Sequence, residues 1–318
     1  MNYLKKNKTF IIAEAGVNHN GSFKLAKQFI DVAKRIGADA IKFQTYDINK
    51  IYNKNFIKKT KITWAKKYIL KKSSLINLKK YCKKKKIIFM STPFESTSAI
   101  LLKKIGMDLF KIASPSIYNL DLLKTISRFN KNIILSSGFA DLNLLKKIKK
   151  KYFRNKNLAI LYCVSKYPAD IASIDLKNIN ILKKKLKCTV GFSDHFQGIE
   201  FSLLAKSYGA QIIEKHIKLS KKQKCPDSNI SATPKEFEKM VKIIRKLDDK
   251  RIVKQKKLKP TVGIYYKKNL AKNEKLTFEN IHFLMPNNKF DNSKIFQLLG
   301  KRAKKNLKQL NPINFKDF

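Results

Sequence analysis

Acidic residues are scarce in this chain. Only 22 Asp and Glu face 71 Lys and Arg over 318 residues, a formal net charge of +49. Such an excess draws polyanions of any kind. Arginine, however, which clamps phosphates and reads bases, numbers six. The lysines run the whole length in short clusters, Lys83–Lys86, Lys149–Lys151 and Lys183–Lys185, at the ends or outer faces of predicted helices. No zinc-finger or RNA-recognition signature occurs. The charge therefore reads as a solvated lysine surface rather than a specific nucleic-acid site. Cysteine is equally sparse. Cys82, Cys163, Cys188 and Cys225 lie far apart with no Cys-x-x-Cys, which leaves no zinc or disulfide framework and fits free thiols in a reducing compartment. No apolar run reaches 18 residues, so no membrane span is expected. The run Phe10 to Val17 contains Glu14 and is too short for a signal peptide. A cytoplasmic protein is the expectation.

What is present is a repeating beat. Apolar residues make up 43% of the chain, enough for a sizeable core. Short apolar runs predict strands at Phe10–Ala15, Ala40–Gln44, Ile87–Ser91, Leu109–Ala113, Ile133–Ser137, Ala159–Val164, Thr189–Ser193 and Gln211–His216. Helical patterns alternate with them: Phe23–Ile36, Lys66–Lys84, Ser96–Ile105, Leu120–Phe129, Leu142–Lys151, Asp175–Leu186, Ile199–Tyr208 and Lys235–Asp249. Strands separated by helices pair in parallel, and eight such units in about 250 residues predict an α/β chain with a (β/α)8 TIM barrel. The runner-up, an open doubly wound sheet, lacks its Gly-x-Gly-x-x-Gly turn. Gly37, Gly106 and Gly209 precede strands and suit left-handed helix caps. The domains expected are a catalytic barrel over 1–250, a charged linker over 251–261 and a small β-rich module over 262–318. That module is marginal alone and would gain from packing on another subunit.

The chemistry-bearing residues gather at the C-terminal strand ends, the rim where this fold builds active sites. Strand alternation puts Lys42 with Gln44 on one face, Ser193 with His195, and Glu214 with His216. A lysine within an apolar strand is costly unless it meets an anion. Lys42 and Lys111, among the hydroxyls of Thr92, Ser114 and Ser136, suit a phosphate and a carboxylate. Pairing with a buried carboxylate such as Glu14 is the alternative. His195 and His216 end neighbouring strands and could converge on one divalent cation, with Glu214 near. Lys215, by alternation, points into the helix layer.

These motifs together resemble the N-acetylneuraminate (sialic acid) synthase family, which includes legionaminic and pseudaminic acid synthases. The resemblance rests on Ala13 to Gly21, Lys42-Phe43-Gln44-Thr45, Ser91-Thr92-Pro93-Phe94, Phe110 to Ser114, Gly191 to His195, Glu214-Lys215-His216 and Pro226-Asp227, in that order. The stretch Asn269 to Thr277, with Glu279-Asn280-Ile281, resembles that family's antifreeze-like (SAF) domain. The resemblance implies condensation of phosphoenolpyruvate with N-acetylmannosamine or a related N-acyl amino sugar, giving a nonulosonic acid and phosphate. It implies Mn²⁺ or Mg²⁺ on His195 and His216, and phosphoenolpyruvate held by Lys42, Thr92, Lys111, Ser114 and Ser136. Glu14, Gln44, Tyr167 and Asp227 would contact the sugar, with Phe94 also lining the substrate site. A homodimer is implied, each small domain capping the partner's barrel.

The chain departs from the family in places. Pro115-Ser116 replaces a Gly-acid pair after strand 4, Ser165 an asparagine, Cys225 a glycine, and Met285 an acyl-binding arginine. Three alternatives stay open: a related synthase using a phosphosugar, although such enzymes lack the C-terminal module; a basic nucleic-acid-binding barrel; and an inactive barrel.

Overall fold

The structure is a computed structural model. It describes residues 8–60, 62–154, 157–249 and 261–318. These form two compact units, one within residues 1–250 and one within 251–318. The linker expected at 251–261 lies outside the described residues except for Thr261.

In the first unit, eight strands form one parallel sheet: β1 (Phe10–Gly16), β2 (Ala40–Thr45), β3 (Ile88–Pro93), β4 (Leu109–Ile112), β5 (Asn132–Ser136), β6 (Leu158–Tyr162), β7 (Thr189–Asp194) and β8 (Ile212–His216). They hydrogen-bond in the order β3-β2-β1-β8-β7-β6-β5-β4, and β3 lies beside β4 to close the ring. This is a TIM barrel. Each strand lies within about two residues of its predicted span, because the apolar alternation and the glycine caps mark both ends. Gly37, Gly106 and Gly209 take φ of 80°, 82° and 90°, left-handed geometry that glycine adopts without a Cβ clash.

The helices of this unit are α1 (Phe23–Arg35), α2 (Ile48–Ile51), α3 (Lys54–Thr60), α4 (Lys72–Lys85), α5 (Ser96–Lys104), α6 (Leu120–Ser127), α7 (Leu142–Tyr152), α8 (Lys177–Leu186), α9 (Glu200–Ser207) and α10 (Pro234–Asp248). Their ends follow local chemistry. Ser22 caps α1 by accepting from Leu25 N, and Thr233 with Glu236 forms a capping box on α10. The helix predicted at Lys66–Lys84 starts instead at Lys72, since Lys71 is extended, with φ −62° and ψ 153°. Before it lie α2, α3 and a 3-10 turn over Ile62–Tyr68, an excursion that the periodicity did not separate. Its start is signalled by Asp47, whose side chain accepts from Asn49 N.

Two apolar layers hold this unit. One lies between strands and helices and includes Phe29, Phe43, Phe110, Phe192 and Phe237. The other fills the barrel itself: Phe10, Ile12, Ala40, Met90, Leu109, Ile134, Ala159, Leu161 and Ile212. Each large buried side chain of this kind contributes roughly 1.5–3 kcal/mol. The inner layer positions the site. Two residues beyond Ile12, Ala40, Met90, Leu109, Ile134, Leu161 and Ile212 stand Glu14, Lys42, Thr92, Lys111, Ser136, Cys163 and Glu214. Period-two alternation therefore turns these side chains inward as well, one layer nearer the mouth.

In the second unit, β9 (Gly263–Tyr266) pairs antiparallel with β10 (Ile281–Leu284). Isolated bridges Leu270–Leu307 and Lys275–Arg302 extend the pairing. Ile264, Tyr266, Leu270, Leu276, Ile281, Ile295 and Leu298 make a separate core, and Tyr266 donates to Asp317 at 2.9 Å. The β-rich character expected from the sequence is present.

Candidate active site

The inward side chains meet in a cavity of about 230 Å³ at the C-terminal ends of the barrel strands. Of the predicted site residues, Glu14, Lys42, Gln44, Thr92, Phe94, Lys111, Ser114, Ser136, Tyr167, His195 and His216 line it. Asp227 does not. It lies beside the cavity, its Oδ2 3.4 Å from His216 Nδ1.

Two lysines and two carboxylates form the floor of the cavity. Lys42 Nζ donates to Thr92 Oγ1 at 2.9 Å and lies 2.8 Å from Glu14 Oε2. Lys111 Nζ donates to Ser136 Oγ at 2.7 Å. Glu214 joins the two, 3.3 Å from Lys111 and 3.7 Å from Lys42, and accepts from Ser193 Oγ at 2.9 Å. Both lysines thus pair with buried carboxylates, the alternative that the sequence offered, and both line the cavity. Glu214 is the main residue that the sequence reading left without a role of its own. Its signal was the two-residue spacing to His216, which puts both on the inner face.

Burial and charge set these groups apart. Burial pushes Glu14 up to about 7, with Lys42 pulling the other way. Burial opposes the Glu214 charge too, but Lys111 and then Lys42 hold it down to about 2. Lys42 is raised because Glu14 and Glu214 outweigh its burial. Lys111 is lowered because burial outweighs Glu214. Both cavity imidazoles are lowered by burial, His195 to about 4 and His216 well below its ordinary value. Burial raises Asp227 to about 6.

Two glycines let polar atoms converge. A Cβ on Gly16, at φ 51°, would meet Asp227 Oδ2, Gln44 Nε2 and Glu14 Oε1 at 3.2–3.4 Å. One on Gly138 would overlap Ser165 Oγ at 2.2 Å and crowd Cys163 Sγ and Ser114 Oγ at 2.9 Å. Ser165, Cys163, Ser193 and Phe139 thus join the site, although the sequence reading gave them no role in it. Ser165 Oγ is buried and, among the described residues, has no hydrogen-bond partner. Ser114 Oγ accepts from Phe139 N at 2.8 Å. Lys215 points away, as expected, to Asp194 at 3.4 Å and the Phe196 carbonyl. Ser116 is buried and is not among the cavity-lining residues.

The imidazoles also fit a divalent cation. Their centroids are 5.8 Å apart. His195 Nδ1 lies 2.7 Å from the Val164 carbonyl, which fixes the proton there and leaves the Nε2 lone pair toward the cavity. His216 Nδ1 is buried and, among the described residues, has no hydrogen-bond partner, with Asp227 Oδ2 3.4 Å away. Two neutral nitrogen donors suit a first-row divalent ion. Among the described residues no three His, Cys, Asp or Glu gather as a fuller cluster.

A barrel cavity at the C-terminal strand ends, with two lysines and two carboxylates on its floor beside two neutral imidazoles, is an enzyme site of the kind this fold builds. The chain belongs to the NeuB family, whose model matches residues 29–256. The N,N'-diacetyllegionaminic acid synthase of Campylobacter jejuni is 34% identical over 95% of this chain and 98% of its own length. The pseudaminic acid synthase of the same species is 33% identical, covering 96% of both chains. Among solved structures, the N-acetylneuraminic acid (sialic acid) synthetase of Leptospira borgpetersenii superimposes with a TM-score of 0.73. It is 37% identical and covers 80% of this chain and 87% of that one.

Proposed function

We propose that this chain condenses phosphoenolpyruvate with the open-chain aldehyde of an N-acyl amino sugar, N-acetylmannosamine or a relative, to give a nonulosonic acid and phosphate. It is a carbon–carbon bond-forming transferase of the nonulosonic acid synthase type. The observation that carries this reading is the placement of Lys42 and Lys111 on one buried, hydroxyl-lined wall. A substrate with a phosphate and a carboxylate a few bonds apart matches two separated ammonium groups. Thr92 and Ser136 orient those lysines, and Ser114 adds a hydroxyl. Gln44, Tyr167 and Asp227 are the groups for the sugar, with Phe94 as an apolar wall.

Carbon 3 of phosphoenolpyruvate bonds to the aldehyde carbon, whose oxygen takes a proton. Water then adds to carbon 2 and gives up a proton, and the carbon–oxygen bond to phosphate breaks as the new hydroxyl passes its proton to the departing phosphate and becomes the ketone oxygen. Glu14, with its carboxyl near 7, can hold and pass a proton at neutral pH. His195 and His216 would hold Mn²⁺ or Mg²⁺, which when bound polarises the aldehyde oxygen. A diacetamido sugar is the second reading, favoured by the near full-length likeness to legionaminic and pseudaminic acid synthases.

The second unit is assigned as an antifreeze-like (SAF) domain that caps a partner's barrel in a homodimer. Its β-rich fold and small separate core support that reading. Met285, 75% exposed, stands where the family places an acyl-binding arginine, so acyl recognition in this chain needs another donor. Among the described residues no helix is long and apolar enough to cross a membrane. A cytoplasmic location fits a phosphoenolpyruvate-using enzyme.

The test is phosphate release from phosphoenolpyruvate with Mn²⁺ and a panel of N-acyl sugars. Release is expected only with a sugar present, and is lost on chelation and in His195→Ala. Phosphate release that survives chelation overturns the metal assignment. No release with any N-acyl sugar overturns the function.

A further inference from the structure

Tyr167 lies in the loop after β6, and its ring covers both imidazoles. It stacks on His195 with centroids 4.1 Å apart and meets His216 edge-on at 5.9 Å. Its hydroxyl is 2.9 Å from His195 Nε2. The Val164 carbonyl can only accept, so His195 Nδ1 carries the ring proton and Nε2 can only accept. Tyr167 is therefore the donor. Ser193 Oγ is 3.4 Å from the same nitrogen, but its proton is directed at Glu214 Oε1, 2.9 Å away. The lone pair that a cation needs on His195 is thus the one that Tyr167 occupies.

We infer that Tyr167 is a positioning residue that latches His195: its hydroxyl competes with the divalent cation for Nε2, and cation loading releases it to the sugar. This rests on the cation reading given above. The residue is 54% exposed, so the ring can turn outward without crossing the core. A cation binding alone must break the Tyr167–His195 bond. A sugar oxygen that accepts the Tyr167 proton must break it too, since the hydroxyl has only one proton to give. Once either ligand has done so, the other binds without that cost. Cation and sugar are therefore positively coupled, and by linkage each strengthens the other by the same factor.

The experiment is a Mn²⁺ titration of the full chain without phosphoenolpyruvate, followed by the electron paramagnetic resonance signal of free Mn²⁺, with and without N-acetylmannosamine. A net hydrogen bond corresponds to about a 2- to 10-fold change in affinity. Tyr167→Phe, which keeps the ring, should tighten Mn²⁺ by about that factor without sugar. The sugar should tighten Mn²⁺ in the wild type, and that enhancement should shrink toward one in the variant. Tyr167→Leu, lacking both ring and hydroxyl, should also tighten Mn²⁺ and lose the coupling. Unchanged or weaker Mn²⁺ binding in a folded Tyr167→Phe overturns the latch and leaves the cation site standing. A wild type that binds no Mn²⁺ overturns both.

Discussion

The two halves of the barrel interior are built by the same strands, with the same alternation, to opposite ends. The lower half is an apolar cluster of Phe10, Ile12, Met90, Leu109, Ile134, Leu161 and Ile212. The upper half, two residues further along, is Glu14, Thr92, Lys111, Ser136 and Glu214, joined by Lys42. The lower layer gains free energy simply by leaving water. The upper layer is buried as deeply, Lys42 and Lys111 each 3% exposed, and it persists only because each charge meets another. Buried ion pairs rarely add net stability over an apolar packing, whereas breaking one is severe. The upper layer is thus the costly one, as expected where charges are kept for chemistry.

Removing the shared partner should break this contrast most sharply. Glu214→Ala leaves Lys42 and Lys111 short of a counter-charge, and a loss of about 4 kcal/mol in urea unfolding is expected. Added inorganic phosphate should restore part of it by replacing the carboxylate. A loss under 1 kcal/mol would mean that the lysines have other compensation. In the lower layer, Leu161→Ala should lose about 3 kcal/mol as a cavity, and here phosphate should restore nothing. Equal rescue in both variants would erase the distinction between the layers.

Acidity gives a third, slightly smaller probe. Glu14 titrates near 7 in the folded chain against an ordinary 4.5. Below 4.5 both states keep the proton. Between 4.5 and 7 the unfolded chain loses its proton first, so this group lowers stability as pH rises, by about 2–3 kcal/mol at the top of the window. Glu214, held down, acts in the opposite sense and only below 4.5. With chelator present, Glu14→Gln should therefore gain on the wild type as pH climbs from 4.5 to 7. A constant difference across that range would show that Glu14 is not perturbed. The mildest change is Ser136→Ala, which removes one acceptor from Lys111 and should cost about 1 kcal/mol, with a several-fold rise in the phosphoenolpyruvate requirement.

The sequence made the barrel legible because its signals are local. Apolar alternation and three caps at Gly37, Gly106 and Gly209 bracket the strands without any long-range information. The site was legible as a rim for the same reason: residues such as Lys42 and Gln44 are two apart on one strand. Glu214 and Ser165 were harder. Which carboxylate bridges two lysines depends on how β8 faces β2 and β4 across the barrel, and a one-dimensional pattern does not contain that distance. The excursion before α4 also escaped, because its short helices carry too few turns to show a period. Asp227 sits on a loop, so its approach to His216 follows from the turn over Gly16 and not from strand spacing.

The packed lower layer also makes the cavity a blind alley. With Leu161, Ile12 and their neighbours filling the barrel beneath it, reactants and products come and go at the end where the strands terminate. Whatever enters first and lies deepest must leave last. On the assignment above, the phosphate rests at the lysines while the sugar acid stands between it and solvent. Product-inhibition kinetics would then show an ordered exit, the nine-carbon acid departing before phosphate.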